Sequence, residues 1–517
     1  MTPTPGGADH PLNKKAVVRG ALVVALSRLG AVVEVVAQPA YIWMFGLATY
    51  GIYAALWAAV NIISNIADFA MTSAMQRVIP QASTEEKAHS ALKTALVIGL
   101  LPSLVVAGAV SFFTTPVAAL LNAAPRDQAT LELSVRLFAW ALPLWTFVEL
   151  ATSAVRARKA FGPEVRLRIF WEQIVRLLMA AAAWLAGWLT LGLVAAHLLS
   201  LLVTALLGVR LIGRYYNLSL LRRAPVDRAV MRDLLHTGLG LLPGNITTRF
   251  FSDLPPLILN LIVPGAAGAN ASGLYAIARK IASLPMIVRH SLHYVIQPLV
   301  AEQSVRDASH INHVYGFASR LSMSLLLPTA LLIALLADEI LLLFPAEARA
   351  AAPLVIILTL VRGINAIVGP ANGILQMLHP RLWPTANAMA GIAGAGLVTW
   401  AATAMGIEAA RAMAWGVAGG LIAMEWLPLL QLWLLNGLHP CEAPFRRGAA
   451  TILGMGAFVV LLLQAVPPLP VAAEVALVLP LFFALVWLAL RTALTDTERQ
   501  SLGRIGTRLG LTSRACL

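Results

Sequence analysis

Apolar residues run through this chain in long stretches separated by short polar connections. A membrane-spanning helix needs about 20 mostly apolar residues. About fourteen stretches qualify, near 17–44, 51–76, 91–113, 131–153, 165–187, 190–212, 234–262, 272–298, 314–336, 351–377, 383–404, 408–435, 448–466 and 471–491. The pattern predicts an all-α polytopic membrane protein.

The stretches repeat. Tyr50-Gly51-Ile52-Tyr53-Ala54 opens the second, and Ser272-Gly273-Leu274-Tyr275-Ala276 opens the eighth, 222 residues later. Each follows a short external loop, and the two helices end near Pro80 and Pro298. Six helices separate the copies, an even number, so both insert in the same orientation as a parallel repeat. At this offset Arg28 falls one position from Arg249. The expected organisation is a cytoplasmic N-terminal segment (1–16), an N-lobe of six helices (17–213), a cytoplasmic linker (214–233), a C-lobe of six helices (234–436), an extra helix pair (437–494) and a basic cytoplasmic tail (495–517).

Charge fixes the expected orientation. With the N-terminus inside, the cytoplasmic connections carry 27 of the 38 Lys and Arg residues and the outer ones only 4, leaving 7 within the helices. That asymmetry follows the positive-inside rule and places both termini in the cytoplasm. The composition, 59% hydrophobic and 12% charged with mean hydropathy +0.79, excludes a soluble protein. The net charge of +14 therefore indicates topology, not nucleic-acid binding. Met1–Lys15 is polar and the first stretch is as long as a span, so it reads as a retained helix, not a signal peptide. Cys441 and Cys516 fall on the cytoplasmic side and are expected to be reduced. The outer connection Thr114–Leu131 is expected on the membrane surface. The tail, with Leu502, Ile505 and Leu509 at helical spacing, is expected to anchor on anionic lipid.

Polar residues inside the stretches carry the candidate chemistry, because charge in a bilayer core is costly and marks function by default. They form stripes: Asn245, Arg249, Asp253, Pro256 and Asn260 in the seventh helix; Arg362, Asn365, Gly369, Asn372 and Gln376 in the tenth; Asn61, Asn65, Asp68 and Thr72 in the second; Arg279, Met286, His290, His293 and Gln297 in the eighth, with Arg289 about 80° from Arg279. Pro285 and Pro370 are expected to kink the eighth and tenth helices. Stripes in both halves predict one central, wet, cationic cavity. Its expected binding residues are Arg28, Arg249, Arg279, Lys280, Arg289, Arg362, Asn245, Asn365 and Asn61; Glu34, Asp68 and Asp253 are the candidates for ion coupling. Structural alternatives stand beside these. Arg249 and Asp253 are spaced to neutralise each other, Glu34 can balance Arg28, and Arg279 with Lys280 can snorkel outward. Glu172 and Arg176 read as a structural pair. There is no Walker loop and no metal-ligand spacing, so no cofactor is expected beyond a coupling ion, H⁺ or Na⁺.

The motifs Tyr50-Gly51-Ile52-Tyr53 and Gly273-Leu274-Tyr275-Ala276, with Pro298 and the six-plus-six repeat, resemble the oligosaccharide and polysaccharide flippases of the multidrug/oligosaccharidyl-lipid/polysaccharide (MOP) exporter superfamily. The resemblance implies two six-helix lobes with an extra helix pair in a bacterial inner membrane, working by rocker-switch alternating access. It implies as substrate a polyprenyl-pyrophosphate-linked glycan moved to the periplasmic leaflet, with membrane lipids and polysaccharide-assembly proteins as partners. The intramembrane arginines suit a pyrophosphate. A lipid II-type flippase and a MATE-type cation antiporter are the alternatives; a cationic cavity suits the latter poorly.

Overall fold

The computed structural model describes residues 30–160, 162–286, 289, 308–379, 382–467, 469–502 and 504–511. Within them the chain is helical, with no strand. In order, the principal helices are α1 (Gly30–Phe45), α2 (Leu47–Ala67), α3 (Met71–Val78), α4 (Glu85–Phe112), α5 (Pro125–Phe138), α6 (Ala141–Ala157), α7 (Glu172–Leu185), α8 (Thr190–Tyr215), α9 (Arg228–Ile262), α10 (Gly265–Ile281), α11 (Ala308–Leu335), α12 (Ala352–Asn365), α13 (Ala371–Leu378), α14 (Leu382–Ala404), α15 (Ala409–Asn436), α16 (Ala443–Ala465), α17 (Val471–Ala493) and α18 (Asp496–Ser501).

Eight helices are long and apolar enough to cross a membrane: α2, α4, the kinked Pro125–Ala157, α8, Ile311–Leu335, α15, α16 and α17. The expected count of fourteen is not reached by such helices among the described residues. Part of the reason is physical. The second stretch breaks after Ala67, where Phe69 (φ 49) and Ala70 (φ 56) turn left-handed. Two non-glycine residues in that region cost about 1–2 kcal/mol each. Asp68 offsets this by accepting from the Ala70 amide at 2.9 Å and the Thr72 amide at 3.5 Å. The tenth stretch breaks between α12 and α13 at Gly369 (φ 63) and Pro370. The eighth leaves helical geometry after Ile281, just before Pro285. A π-helical turn, Val165–Trp171, precedes α7.

The repeated motifs meet face to face. Gly51 on α2 and Gly273 on α10 lie at one crossing, where a Cβ on Gly273 would stand 2.9 Å from the Leu47 carbonyl oxygen and 3.4 Å from the Gly51 Cα. A Cβ on Gly51 would overlap the Ala269 carbonyl oxygen. Ser272 Oγ donates to the Gly51 carbonyl at 3.0 Å across the same contact. Small residues that let two backbones touch are a recurrent glue between spanning helices. The two tyrosines of the first motif point into the N-terminal half: Tyr50 donates to Gln38 at 2.5 Å, and Tyr53 pairs with His197 Nδ1 at 3.0 Å. Arg176, bonded to Glu172, also reaches Tyr53 at 3.3 Å, so these buried polar groups form one network, as the pairing of Glu172 with Arg176 anticipated.

The two halves are also tied at the end carrying Asn122. The connection expected on the membrane surface supplies Asn122 to this contact. Asn122 and Asn260 exchange hydrogen bonds: Asn122 Nδ2 donates to the Asn260 carbonyl at 2.8 Å, and Asn260 Nδ2 donates to the Asn122 carbonyl at 2.8 Å. The Gly265 amide donates to Asn122 Oδ1 at 2.7 Å, and Trp43 Nε1 donates to the Leu343 carbonyl at 2.9 Å. This end is shut.

The basic tail is not free. Arg320 on α11, which is 1% exposed, donates to Glu498 Oε1 at 2.5 Å and to Glu442 Oε2 at 3.1 Å. Leu502 and Leu511 pack beside Leu490 and Leu494, and Trp487 Nε1 donates to the Leu509 carbonyl at 2.9 Å. Leu502 therefore faces the protein, not lipid as expected, because a buried arginine recruits the carboxylate four residues before it. Thr495 caps α18 in a reciprocal capping box with Glu498.

Two outcomes follow. Gly51→Ala should force α2 and α10 apart and lower stability by about 1–3 kcal/mol or more, whereas Gly454→Ala, with nothing within 4 Å, should be neutral; thermal unfolding in detergent reads both. Burial raises the Glu498 carboxyl, but the Thr495 amide and Arg320 outweigh it and hold it below the usual carboxylate range. A carboxyl lowered in the folded state stabilises above its unfolded value, and the gain is lost as pH falls through the folded one. The tail should thus become protease-sensitive on acidification, and Glu498→Gln should be sensitive at every pH.

Candidate functional site

A cavity of about 330 Å³ opens between α2, α3, α6, the π-helical turn and α9. It is lined by Asn65, Thr72, Ser73, Glu149, Arg156, Arg168, Asn245, Arg249 and Ser252, all polar or charged. The other cavities described are walled by side chains such as Leu56, Val60 and Phe138, or Leu100, Trp140 and Leu202, as expected of lipid-facing crevices.

Local structure places each wall. The break at Asp68 turns Thr72 and Ser73 on α3 toward α9. The Phe69 carbonyl then sits where a Cβ on Gly238 would be, so α9 can lie against the break only because residue 238 is glycine. The π-helical turn widens the backbone and swings Arg168 over Trp145, with its guanidinium 4.5 Å from the ring centre. On α6, Glu149 is buried and faces both Arg168 and Arg249.

These charges form a ladder. Arg168 contacts Glu149 at 3.4 Å; Glu149 contacts Arg249 at 3.2 Å; Arg249 contacts Asp253 at 3.3 Å; Asp253 contacts Arg279 at 2.8 Å. Glu164 joins from the side, to Arg168 at 3.3 Å and Arg156 at 3.2 Å. Opposite charges side by side offset the large cost of taking each out of water. Three guanidinium groups, of Arg156, Arg168 and Arg249, reach the cavity wall with Glu149 among them, and Glu164 and Asp253 stand behind. Arginine forks donate to phosphate oxygens two at a time.

The expected residues distribute unevenly. Arg249 and Asn245 line the cavity, and Asn245 reaches Ser73 Oγ at 3.4 Å. Asp253 and Arg279 extend the ladder behind it; Arg279 turns to Asp253 and does not snorkel. Asp68 accepts the amides of Ala70 and Thr72 at the helix break. Asn61 turns back to its own helix, donating to the Trp57 carbonyl at 3.0 Å. The tenth-helix stripe does not reach this cavity: Arg362 donates to the Ala282 carbonyl at 2.9 Å, near the C-terminal end of α10, where helix carbonyls lack partners. Asn365 is held by the Leu421 carbonyl at 3.2 Å and Trp426 Nε1 at 3.1 Å. Arg289 pairs with Glu425 at 2.5 Å. Lys280 sits half-buried on α10 beside Arg279. The single central cavity expected from stripes in both halves is therefore, among the described residues, a cavity of the N-terminal half and α9. Arg28, His290 and His293 lie outside the described residues, and Glu34 falls on α1.

Glu149, Arg156 and Arg168 were not among the expected binding residues. The two arginines stand at helix ends and read as cytoplasmic charge, and Glu149 is the one acid of Ala141–Ala157. Its one visible signal was that isolation: an unpaired acid within a spanning helix needs a partner elsewhere.

Comparison with known proteins agrees with this architecture. The fold resembles the lipid II flippase MurJ in its inward closed conformation, with TM-score 0.69 at 12% identity over 91% of this chain and 99% of that one. It resembles a Vibrio cholerae MATE transporter, with TM-score 0.60 at 13% identity over 82% and 99%. It also resembles a MOP superfamily transporter from Pyrococcus furiosus whose structure was described as having a binding pocket of reverse polarity, with TM-score 0.57 at 14% identity over 83% and 97%. No curated protein matches by sequence. A family model described as polysaccharide biosynthesis protein matches residues 45–348, more than half of the chain, and ends just before α12. The chain, folded like the MOP transporters, belongs to the polysaccharide biosynthesis protein family.

Proposed function

We propose that the protein is a flippase that carries a polyprenyl-pyrophosphate-linked oligosaccharide from the cytoplasmic to the periplasmic leaflet of a bacterial inner membrane, for cell-surface polysaccharide export. The observation that carries this reading is the polar cavity walled by Arg156, Arg168 and Arg249. Guanidinium groups turned toward a polar void are placed to receive an anion, and charge inside a spanning bundle marks function by default. A pyrophosphate has the charge and the oxygen count to engage several arginine forks, while the lipid tail stays in the bilayer. A cation antiporter would line the same void with acids.

The positive-inside rule assigns the arginine-rich end to the cytoplasm. The cavity then lies toward the side on which a glycan donor is assembled, and the Asn122–Asn260 end is the closed periplasmic gate. Transport requires that gate to open while the cytoplasmic side closes, with Gly51 and Gly273 as the tight contact about which the halves rock. Membrane lipids and polysaccharide-assembly proteins are the partners this role entails, and H⁺ or Na⁺ is the candidate for a driving ion.

The test is flipping of a labelled polyprenyl-pyrophosphate oligosaccharide in proteoliposomes. Wild type should transport, and Arg249→Ala and Arg168→Ala should each reduce the rate by tenfold or more, about what a lost charge-assisted contact is worth. A peptidoglycan precursor and a cationic dye run in parallel separate the alternatives: preferential flipping of the precursor favours a lipid II-type role, and dye export an antiporter.

A further inference from the structure

We infer that Glu149 is the resident counter-anion of the cavity, occupying the position that a phosphate oxygen of the substrate takes on binding. The inference rests on the transport reading above and names how the site is emptied and filled.

The geometry is specific. One oxygen, Oε1 of Glu149, accepts from Arg249 Nη2 at 3.2 Å and from Arg168 Nη2 at 3.4 Å. The two guanidinium groups come from different elements, α9 and the π-helical turn, and converge on that oxygen at the cavity wall. A single anionic oxygen shared by two forks is also how a phosphate oxygen is held. Each arginine has a second carboxylate: Arg168 has Glu164 at 3.3 Å, and Arg249 has Asp253 at 3.3 Å. Neither Glu164 nor Asp253 lines the cavity, whereas Glu149 does. When Glu149 swings away, both guanidinium groups keep a fixed partner and each gains a free face turned to the same void.

Two consequences follow from charge alone. With no substrate bound, Glu149 supplies the negative charge on the cavity side of both arginines, whose other partners, Glu164 and Asp253, stand behind them. With substrate present, a phosphate bearing more charge and more oxygens competes for the same donors. Its release needs no new group, because the tethered carboxylate returns. A transporter whose arginines had no internal competitor would bind pyrophosphate more tightly and let go of it more slowly. Glu149 is thus a positioning residue that trades affinity for turnover.

The experiment is titration of inorganic pyrophosphate into the full-length protein in nanodiscs, followed by calorimetry. Glu149→Gln keeps the side-chain shape and removes the competing charge, and should bind at least about tenfold more tightly than wild type. Glu149→Asp keeps the charge but withdraws it by one methylene, and should bind with intermediate affinity. Arg249→Gln should bind more weakly than wild type. In vesicles, Glu149→Gln should flip the lipid-linked glycan more slowly despite its tighter binding. Damage to the fold weakens binding and cannot tighten it, so a gain in affinity in either Glu149 variant supports the counter-anion. Unchanged, weaker or undetectable binding in both overturns it. Failure of the transport reading looks different: wild-type vesicles flip no pyrophosphate-linked glycan while the inorganic pyrophosphate affinities keep their order.

Discussion

A guanidinium group placed between helices in hydrocarbon has to be met by an acceptor where it stands, and much of this structure follows from that requirement. Arg176 takes Glu172 on its own helix. Arg249 takes Glu149 from α6 and Asp253 from α9, and Arg289 takes Glu425 from α15. Arg320 draws Glu442 and Glu498 onto α11 and so folds the tail against the bundle. Arg362 uses a helix end, donating to the Ala282 carbonyl, and Arg126 adds the Phe45 carbonyl at 2.8 Å to its contact with Asp127. Each solution pins two elements together, so the charges that look most foreign to a membrane are also its cross-ties.

How much of this the sequence revealed depends on the range of each signal. Helix, polarity and repeat are local or periodic, and they led to the all-α fold and to the motifs that hold Gly51 and Gly273, though not to the crossing those glycines make. The stripe on α9 was legible because Arg249 and Asp253 stand one turn apart. The partner that matters most to Arg249 is 100 residues earlier, on a helix that shows only one acid, and nothing in a single sequence links Glu149 to it. Arg168 was hidden for another reason. Its position near a helix end made it look like cytoplasmic charge, and only a π-helical turn aims it inward. The breaks were harder still. Asp68 reads in the sequence as a titratable group that could equally be hydrogen-bonded, and in the structure it caps a left-handed turn at Phe69 and Ala70, residue types that give no warning of one.

Closure and binding fall on different parts of the molecule. One end is shut by backbone proximity, at Gly51 and Gly273, and by amides at Asn122 and Asn260. The cavity lies beyond the Asp68 break, where α3, α6, α9 and the π-helical turn meet. The α9 helix belongs to both: Asn260 sits at the shut end and Arg249 at the cavity, 11 residues apart and about 16 Å along one helix. Pro255 and Pro256 lie between the two, so α9 can bend there, while the ladder from Arg168 to Arg279 ties this helix to both halves.

The Asn122–Asn260 exchange has one more consequence. Its donors and acceptors are neutral amides, reciprocal and nearly antiparallel in sense. Separating them moves no net charge through the membrane field, which acts on a transported elementary charge by about 2.3 kcal/mol per 100 mV. The contact that shuts this end is therefore blind to the membrane potential. Any voltage dependence of this protein therefore arises from its charged groups and not from this amide contact, so an electrical readout would not report the separation of Asn122 from Asn260.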